Sequence, residues 1–194
     1  MSEPNALSLA GRIRTGILAV VLALMAIGLS VSSAAASPLR MFSAQSSSMQ
    51  PTIHRGDRFL ADRGYYRTHP PSRGDVAIYQ HPREASDVDV KRIVALPGDR
   101  IAIRDGRVIL NGEAIAESYA VPGDPNAFYN HTPEITVPEG RVFVLGDNRA
   151  NSSDSRAVQR HGLVPVENLR ARAHTIVWSS NLKRIGTFVG APAR

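Results

Sequence analysis

What most restricts the fold of this chain is its punctuation: short β-branched and apolar runs, each closed by Gly, Pro, Asp or Asn. Ile101-Ala102-Ile103 and Val108-Ile109-Leu110 flank Asp105-Gly106, a pair that suits a two-residue hairpin loop. Asn111-Gly112 supplies the next turn. Arg58–Asp62, Val76–Tyr79, Arg141–Leu145 and Arg172–Trp178 read as further strands, and the run from Val88 to Leu96 is ended by Pro97-Gly98. Pro38 to Ala44 reads as a short tether, and Tyr65 to Ser72 as a polar, Pro-rich connection. Glu117 to Glu134 holds three prolines and reads as a loop or lobe. With no long amphipathic helix in the pattern, the expectation is an all-β, mainly antiparallel, barrel-like domain.

A chain of 194 residues can bury one sizeable core. Its net charge of +6 permits contact with nucleic acid or an anionic membrane. The membrane fits better, because aromatics make up only 6% and offer little for bases to stack on; no nucleic acid is expected as a partner. The absence of cysteine excludes disulfides and Cys-based metal sites. Gly16 to Ala36 carries no charge, and about 20 apolar residues cross a bilayer as a helix. Arg12 and Arg14 precede it, which places the amino terminus in the cytoplasm and the remainder outside. A cleavable secretory signal, Ile17 to Leu29 followed by Ala34-Ala35-Ala36, is the competing reading. The expected organisation is a cytoplasmic tail at 1–15, one transmembrane anchor at 16–37 and an extracytoplasmic domain at 38–180. Within that domain a hairpin-rich cap lobe spans about 100–140, and 181–194 forms a carboxy-terminal tail.

Chemistry concentrates in three stretches. Gln45-Ser46-Ser47-Ser48-Met49-Gln50-Pro51-Thr52 is a poor helix or strand former that holds hydroxyls at a bend. Lys91 sits inside a β-branched run, where lysine is rarely buried without a reason. A serine with no suitable histidine can be activated by a lysine kept neutral. A lysine has a pKa of about 10.4, and lowering it to ~8 takes roughly 3 kcal/mol, which desolvation can supply. Asp89 shares a strand face with Lys91 by alternation, so the carboxylate is expected to turn away at a strand end or bulge. The third stretch, Gly146-Asp147-Asn148-Arg149-Ala150-Asn151-Ser152-Ser153-Asp154-Ser155-Arg156, is a polar loop behind an apolar strand. Its acidic spacing does not match an EF-hand. The six histidines show no metal-ligand spacing, and no metal or cofactor is expected.

Four ordered blocks, S-S-S-M-Q-P-T, R-G-D-V-A-I, K-R-I-V-A-L-P-G-D and G-D-N-R-A-N-S-S-D-S-R, resemble the type I signal peptidases. These are membrane-anchored serine proteases that remove signal peptides from exported proteins. The resemblance covers roughly residues 46–178 and implies roles for particular positions. Ser48 corresponds to the nucleophile and Lys91 to the general base. Ser46 corresponds to a hydroxyl lining the oxyanion hole, and Ser152 to one orienting the lysine. Asp154 and Arg156 correspond to a supporting salt-bridged pair, while Asp147, Asn148 and Arg149 give structural support. Ser47 departs from the pattern, since the family usually has glycine there; serine would carry strain if the position needs φ > 0. Lysine rather than histidine as the base points to the bacterial and organellar branch.

The implied partners are signal-peptide-bearing pre-proteins, cut after small residues, and the lipid bilayer; the chain is expected to act as a monomer. Three other readings remain: a relative maturing conjugative pilins, a Ser-Lys self-cleaving repressor, and an inactive anchored β module that binds exported peptides. The repressor is disfavoured by the apolar amino-terminal segment and by the lack of a helical DNA-binding domain. Ala34-Ala35-Ala36 is itself a small-residue site, so self-clipping is expected to leave a chain starting at Ser37. Amino-terminal sequencing of the purified protein checks this, and an intact start refutes it.

Overall fold

Antiparallel pairing organises the residues that the structure, a computed structural model, describes: 39–124 and 128–190. The segments expected as cytoplasmic tail and anchor lie outside these residues. Among the described residues no helix is long and apolar enough to cross a membrane. The strands are β1 (Leu39–Ser43), β2 (Arg58–Asp62), β3 (Val76–Gln80), β4 (Val88–Ala95), β5 (Arg100–Arg104) and β6 (Arg107–Leu110). They continue with β7 (Glu113–Ala114), β8 (Thr132–Thr136), β9 (Arg141–Leu145), β10 (Val164–Pro165) and β11 (Leu169–Trp178). One sheet runs β1-β2-β11-β3-β4-β9-β10, the other β7-β6-β5-β8. Every strand-to-strand pairing is antiparallel, as the alternation of runs and turns predicts. The first sheet is open in order, with β1 and β10 at its edges.

The hairpin signals hold at the backbone level. Asp105 and Gly106 take φ of 50° and 75°, and Asn111 and Gly112 take 54° and 91°. These are the left-handed conformations that a two-residue loop needs to match strand twist.

Some expectations need correction. Leu39–Ser43, read as a tether, is a strand registered residue by residue on β2, from Leu39↔Asp62 to Ser43↔Arg58. Its strand state comes from that tertiary partner rather than from its own exposed, weakly patterned sequence. The connection after β2 opens with one helical turn, α1 (Tyr65–Thr68). The end of the segment read as a loop becomes β8, an edge strand that tolerates Pro133. The carboxy-terminal segment folds back on β11 as far as Gly190: Ile176 N–H donates to Thr187 O, and Val189 N–H to His174 O.

Two apolar clusters matter for the site. Phe59, Ala61, Val76, Ile78, Ala171, Ala173 and Ile176 pack with Met49 and Ile53 from the β1–β2 loop. Ala77, Tyr79, Ile93, Val142 and Val144 form a second cluster. Strand alternation sends neighbouring residues of β3 into one or the other. Phe59 is wholly buried in the first, so Phe59→Ala is expected to destabilise the fold by about 3–5 kcal/mol. A lowered urea midpoint at unchanged slope is the measurement.

Candidate active site

Ser48 lies on the loop from β1 to β2, and that loop is anchored from within. Met49 and Ile53 are 3% and 1% exposed and plug into the first cluster. Ile53 N–H donates to Met49 O at 2.8 Å, closing one turn just after the serine. At the base of the loop, Ala44 N–H donates to Asp57 O and Gly56 N–H to Ala44 O. Arg184 clasps the far side through Pro51 O, Thr52 O and the Asp57 carboxylate. Ser47 is not among the residues at positive φ, so the strain considered for a serine there does not arise.

Lys91 sits mid-strand in β4, opposite Ala77 of β3. It is 3% exposed, and its Nζ donates to Ser48 Oγ at 3.3 Å. Ser48 is itself 7% exposed, and the Ser46 and Ser48 hydroxyl oxygens are 3.1 Å apart. Ser48 N–H makes no hydrogen bond among the described residues, while Ser48 O accepts from Asn148 N–H at 3.0 Å. The structure therefore gathers Ser46, Ser48 and Lys91 around one point.

Asp89 does not turn away, and that expectation is corrected. Its Oδ1 lies 3.6 Å from Lys91 Nζ. β4 is regular there, pairing Asp89 with Tyr79 and Lys91 with Ala77. Its only irregularity falls later, between Ile93 and Ala95, so alternation keeps both side chains on one face. Burial opposes ionisation of Asp89, but His161, 3.7 Å away, and the charge of Lys91 outweigh it. The carboxyl is thus held below its usual range. Removal from water disfavours an ammonium at Lys91, and the carboxylate beside it favours one.

The polar loop after β9 packs behind this group. Asp147 is fully buried and takes a bidentate pair from Arg92, Nε to Oδ1 at 2.9 Å and Nη2 to Oδ2 at 2.7 Å. Arg92 follows Lys91 on β4 and points to the opposite face. It also donates to Gly74 O and lies over the Tyr119 ring, 4.0 Å from its centroid. Thr52 Oγ1 donates to the same Asp147 carboxylate. Asn148 reaches back to Ser47 O at 3.3 Å, and Asn151 to Ser47 Oγ at 2.9 Å. Arg149 pairs bidentately with Glu117.

Asp154 and Arg156 are paired through Nε to Oδ1 at 2.8 Å and Nη2 to Oδ2 at 2.9 Å. Burial would raise the Asp154 carboxyl, but Arg156 and the Gly146 N–H hold it below its usual range. Such a group stabilises the fold at neutral pH and loses that contribution as pH falls through its folded value. Among the described residues Ser152 Oγ is buried with no hydrogen-bond partner. It lies close to Gly146, where an added Cβ would come 2.6 Å from both Ser152 Cβ and Ser48 O. Only glycine fits that approach.

The sequence reading did not single out Arg92, Glu117 or His161. Arg92 carried a faint signal, a second cation inside a β-branched run; Glu117 and His161 carry none, because their partners are brought in by tertiary contact. A cleft of about 130 Å³ runs past the hydroxyls, lined by Ala44, Ser46, Ser48, Ile53, Val88 and Val90 among others. Before Arg92, β4 has no strand partner among the described residues on the edge away from β3. Removing Asp147 alone would strand a buried guanidinium, so Asp147→Ala is expected to cost about 3–5 kcal/mol. The double variant R92M/D147L should recover much of that loss, as read by urea denaturation.

The chain resembles known proteins over most of its length. The family model described as signal peptidase, peptidase S26, matches residues 13–178. The chain is 35% identical over 170 residues to a probable signal peptidase I-1 of Synechocystis, covering 80% of this chain and 83% of that protein. It is 36% identical over 156 residues to a signal peptidase I of Leptolyngbya laminosa, covering 76% and 72%. A chloroplastic thylakoidal processing peptidase 1 of Arabidopsis thaliana is 36% identical over 143 residues, covering 69% of this chain and 40% of that protein. On the extent of that match and the level of these identities, the chain belongs to the signal peptidase family, peptidase S26.

Proposed function

We propose that this protein is a membrane-held serine endopeptidase that removes signal peptides from pre-proteins, with Ser48 as nucleophile and Lys91 as general base. The observation that carries the reading is the buried contact of 3.3 Å between Lys91 Nζ and Ser48 Oγ. Membership of the signal peptidase family supports the substrate class.

In this reading the neutral Lys91 amine takes the Ser48 proton as Oγ attacks the scissile carbonyl carbon. The oxyanion is met by Ser48 N–H and the Ser46 hydroxyl; one such donor is worth up to ~4 kcal/mol of barrier. Lys91 then gives its proton to the leaving amine, the carbon–nitrogen bond breaks, and an acyl ester remains on Ser48. Water, deprotonated by Lys91, hydrolyses the ester and restores the serine. Ser152, buried without a partner, supplies a hydroxyl to orient the amine. Asp147, Asn148, Arg149, Asp154 and Arg156 hold the loop that backs the dyad.

The free edge of β4 suits an extended peptide, which pairs through its backbone while alternate side chains enter the shallow cleft. A cleft of about 130 Å³ with Ala44, Ile53 and Val90 in its walls favours small side chains there. The uncharged stretch Gly16 to Ala36, preceded by Arg12 and Arg14, supports a single-pass anchor with the amino terminus in the cytoplasm. The catalytic domain would then work at the outer face of the plasma membrane. One chain carries every group used here, so the working unit is taken as the monomer, with no metal or cofactor in the reaction.

Ser48→Ala and Lys91→Ala are each expected to lower kcat by at least about 10⁴-fold in cleavage of a precursor with a small-residue site, while leaving the fold intact by circular dichroism. Full activity in either variant overturns the dyad. Peptide binding with no cleavage by the parent protein would favour the inactive-module reading instead.

A further inference from the structure

Behind the dyad lies a second set of titratable groups that the proposed reaction does not use. Asp89 Oδ1 faces Lys91 Nζ at 3.6 Å, and its Oδ2 faces His161 Nε2 at 3.7 Å. His161 is 1% exposed and fixed on both nitrogens: Nδ1 lies 2.9 Å from Gly162 O, and Nε2 lies 2.7 Å from the Tyr79 hydroxyl. A carbonyl only accepts, so Nδ1 carries the proton, and Tyr79 donates to Nε2 when His161 is neutral. Tyr79 keeps its proton because burial, and then the charges of Asp89 and Asp154, push its hydroxyl far above its ordinary range. His81 completes the group, packed edge-on against the His161 ring with centroids 4.9 Å apart. The result is a continuous line from Ser48 through Lys91, Asp89 and His161 to Tyr79.

His81, Asp89 and His161 place ligand atoms within 4.8 Å of one another, a spacing that suits a divalent ion. Their hydrogen bonds argue otherwise. His81 Nδ1 accepts the N–H groups of Arg83 and Glu84, which leaves the proton on Nε2 and no lone pair for a metal. His161 Nε2 already receives the Tyr79 hydroxyl. With these ring nitrogens engaged, the set does not read as a metal site.

We propose that Asp89 is a positioning residue: its carboxylate fixes the Lys91 amine and sets the pH at which that amine becomes a base. The inference rests on the Ser48–Lys91 reading above. Asp89 stands between two spaces, for it lines both the cleft beside Ser48 and a polar cavity of about 650 Å³ on its other side. The second is rimmed by Arg83, Glu84, Asp87 and Arg160. Asp89 is one-third exposed, so water in that cavity reaches the carboxylate while the amine stays buried. A negative charge at 3.6 Å favours the ammonium and delays its deprotonation as pH rises. Asp89 therefore tightens the geometry of the base and confines its activity to higher pH.

The test is the pH profile of kcat/KM in Asp89→Asn, with Asp89→Ala as a second variant in case the first folds poorly. Losing the carboxylate should move the acid limb to lower pH by about one unit or more, a tenfold change in the neutral fraction at a given pH. Asp89→Glu should keep the limb of the parent. A readout independent of turnover is available because the chain has only two lysines, Lys91 and Lys183. Labelled at the ε position, the two give separate resonances, and K183R identifies the one from Lys91. Its titration midpoint should fall in D89N along with the acid limb. A limb and midpoint both unmoved in D89N, even with a reduced plateau rate, overturn the inference. A fully active K91A would sink the dyad and with it any part for Asp89 in the reaction. An inactive K91A beside an unmoved D89N midpoint sinks only this inference.

Discussion

The ion pair between Arg92 and Asp147, wholly out of water, fixes the relation between three segments distant in sequence. Arg92 belongs to the strand that carries Lys91, and Asp147 to the loop after β9. Thr52, on the loop that carries Ser48, donates to the same carboxylate. A bare charge in that place would be costly, and a bidentate pair with further donors is the arrangement that makes burial tolerable. Strand alternation does the rest: with Arg92 locked to one face of β4, Lys91 must project from the other. The adjacent residues are thus complementary, one cation fully paired and structural, its neighbour placed beside a hydroxyl.

At the amine itself two effects oppose one another. Burial strips water from Lys91, and Asp89 supplies a charge that the ammonium prefers. A carboxylate so close looks like an obstacle to the proposed base catalysis, yet its other side opens to a polar cavity, where water weakens its hold on the amine. The Ser152 hydroxyl is buried and, among the described residues, makes no hydrogen bond.

Much of this was legible in the residues. The two hairpins follow from Asp105-Gly106 and Asn111-Gly112, because few residue pairs accept consecutive left-handed conformations. The strand carrying Lys91 followed from its β-branched run, and the grouping of Ser46, Ser48 and Lys91 from a pattern of four blocks in order. What escaped was set by tertiary partners. β1 is a strand because β2 offers it an edge, and Pro133 hid β8 since proline is expected in a strand only at an edge. Asp89 was misjudged because local reasoning saw a lone carboxylate beside a lysine. His161, seventy-two residues away in sequence, comes beside it only through the fold.

The register of β1 on β2 bears on mechanical load. Leu39, the residue nearest the apolar amino-terminal stretch, pairs at the end of the ribbon farthest from the serine loop, and Ser43 pairs beside that loop. Tension applied at Leu39 is borne first by the β1–β2 pairing, rung by rung, before it reaches the loop that carries Ser48.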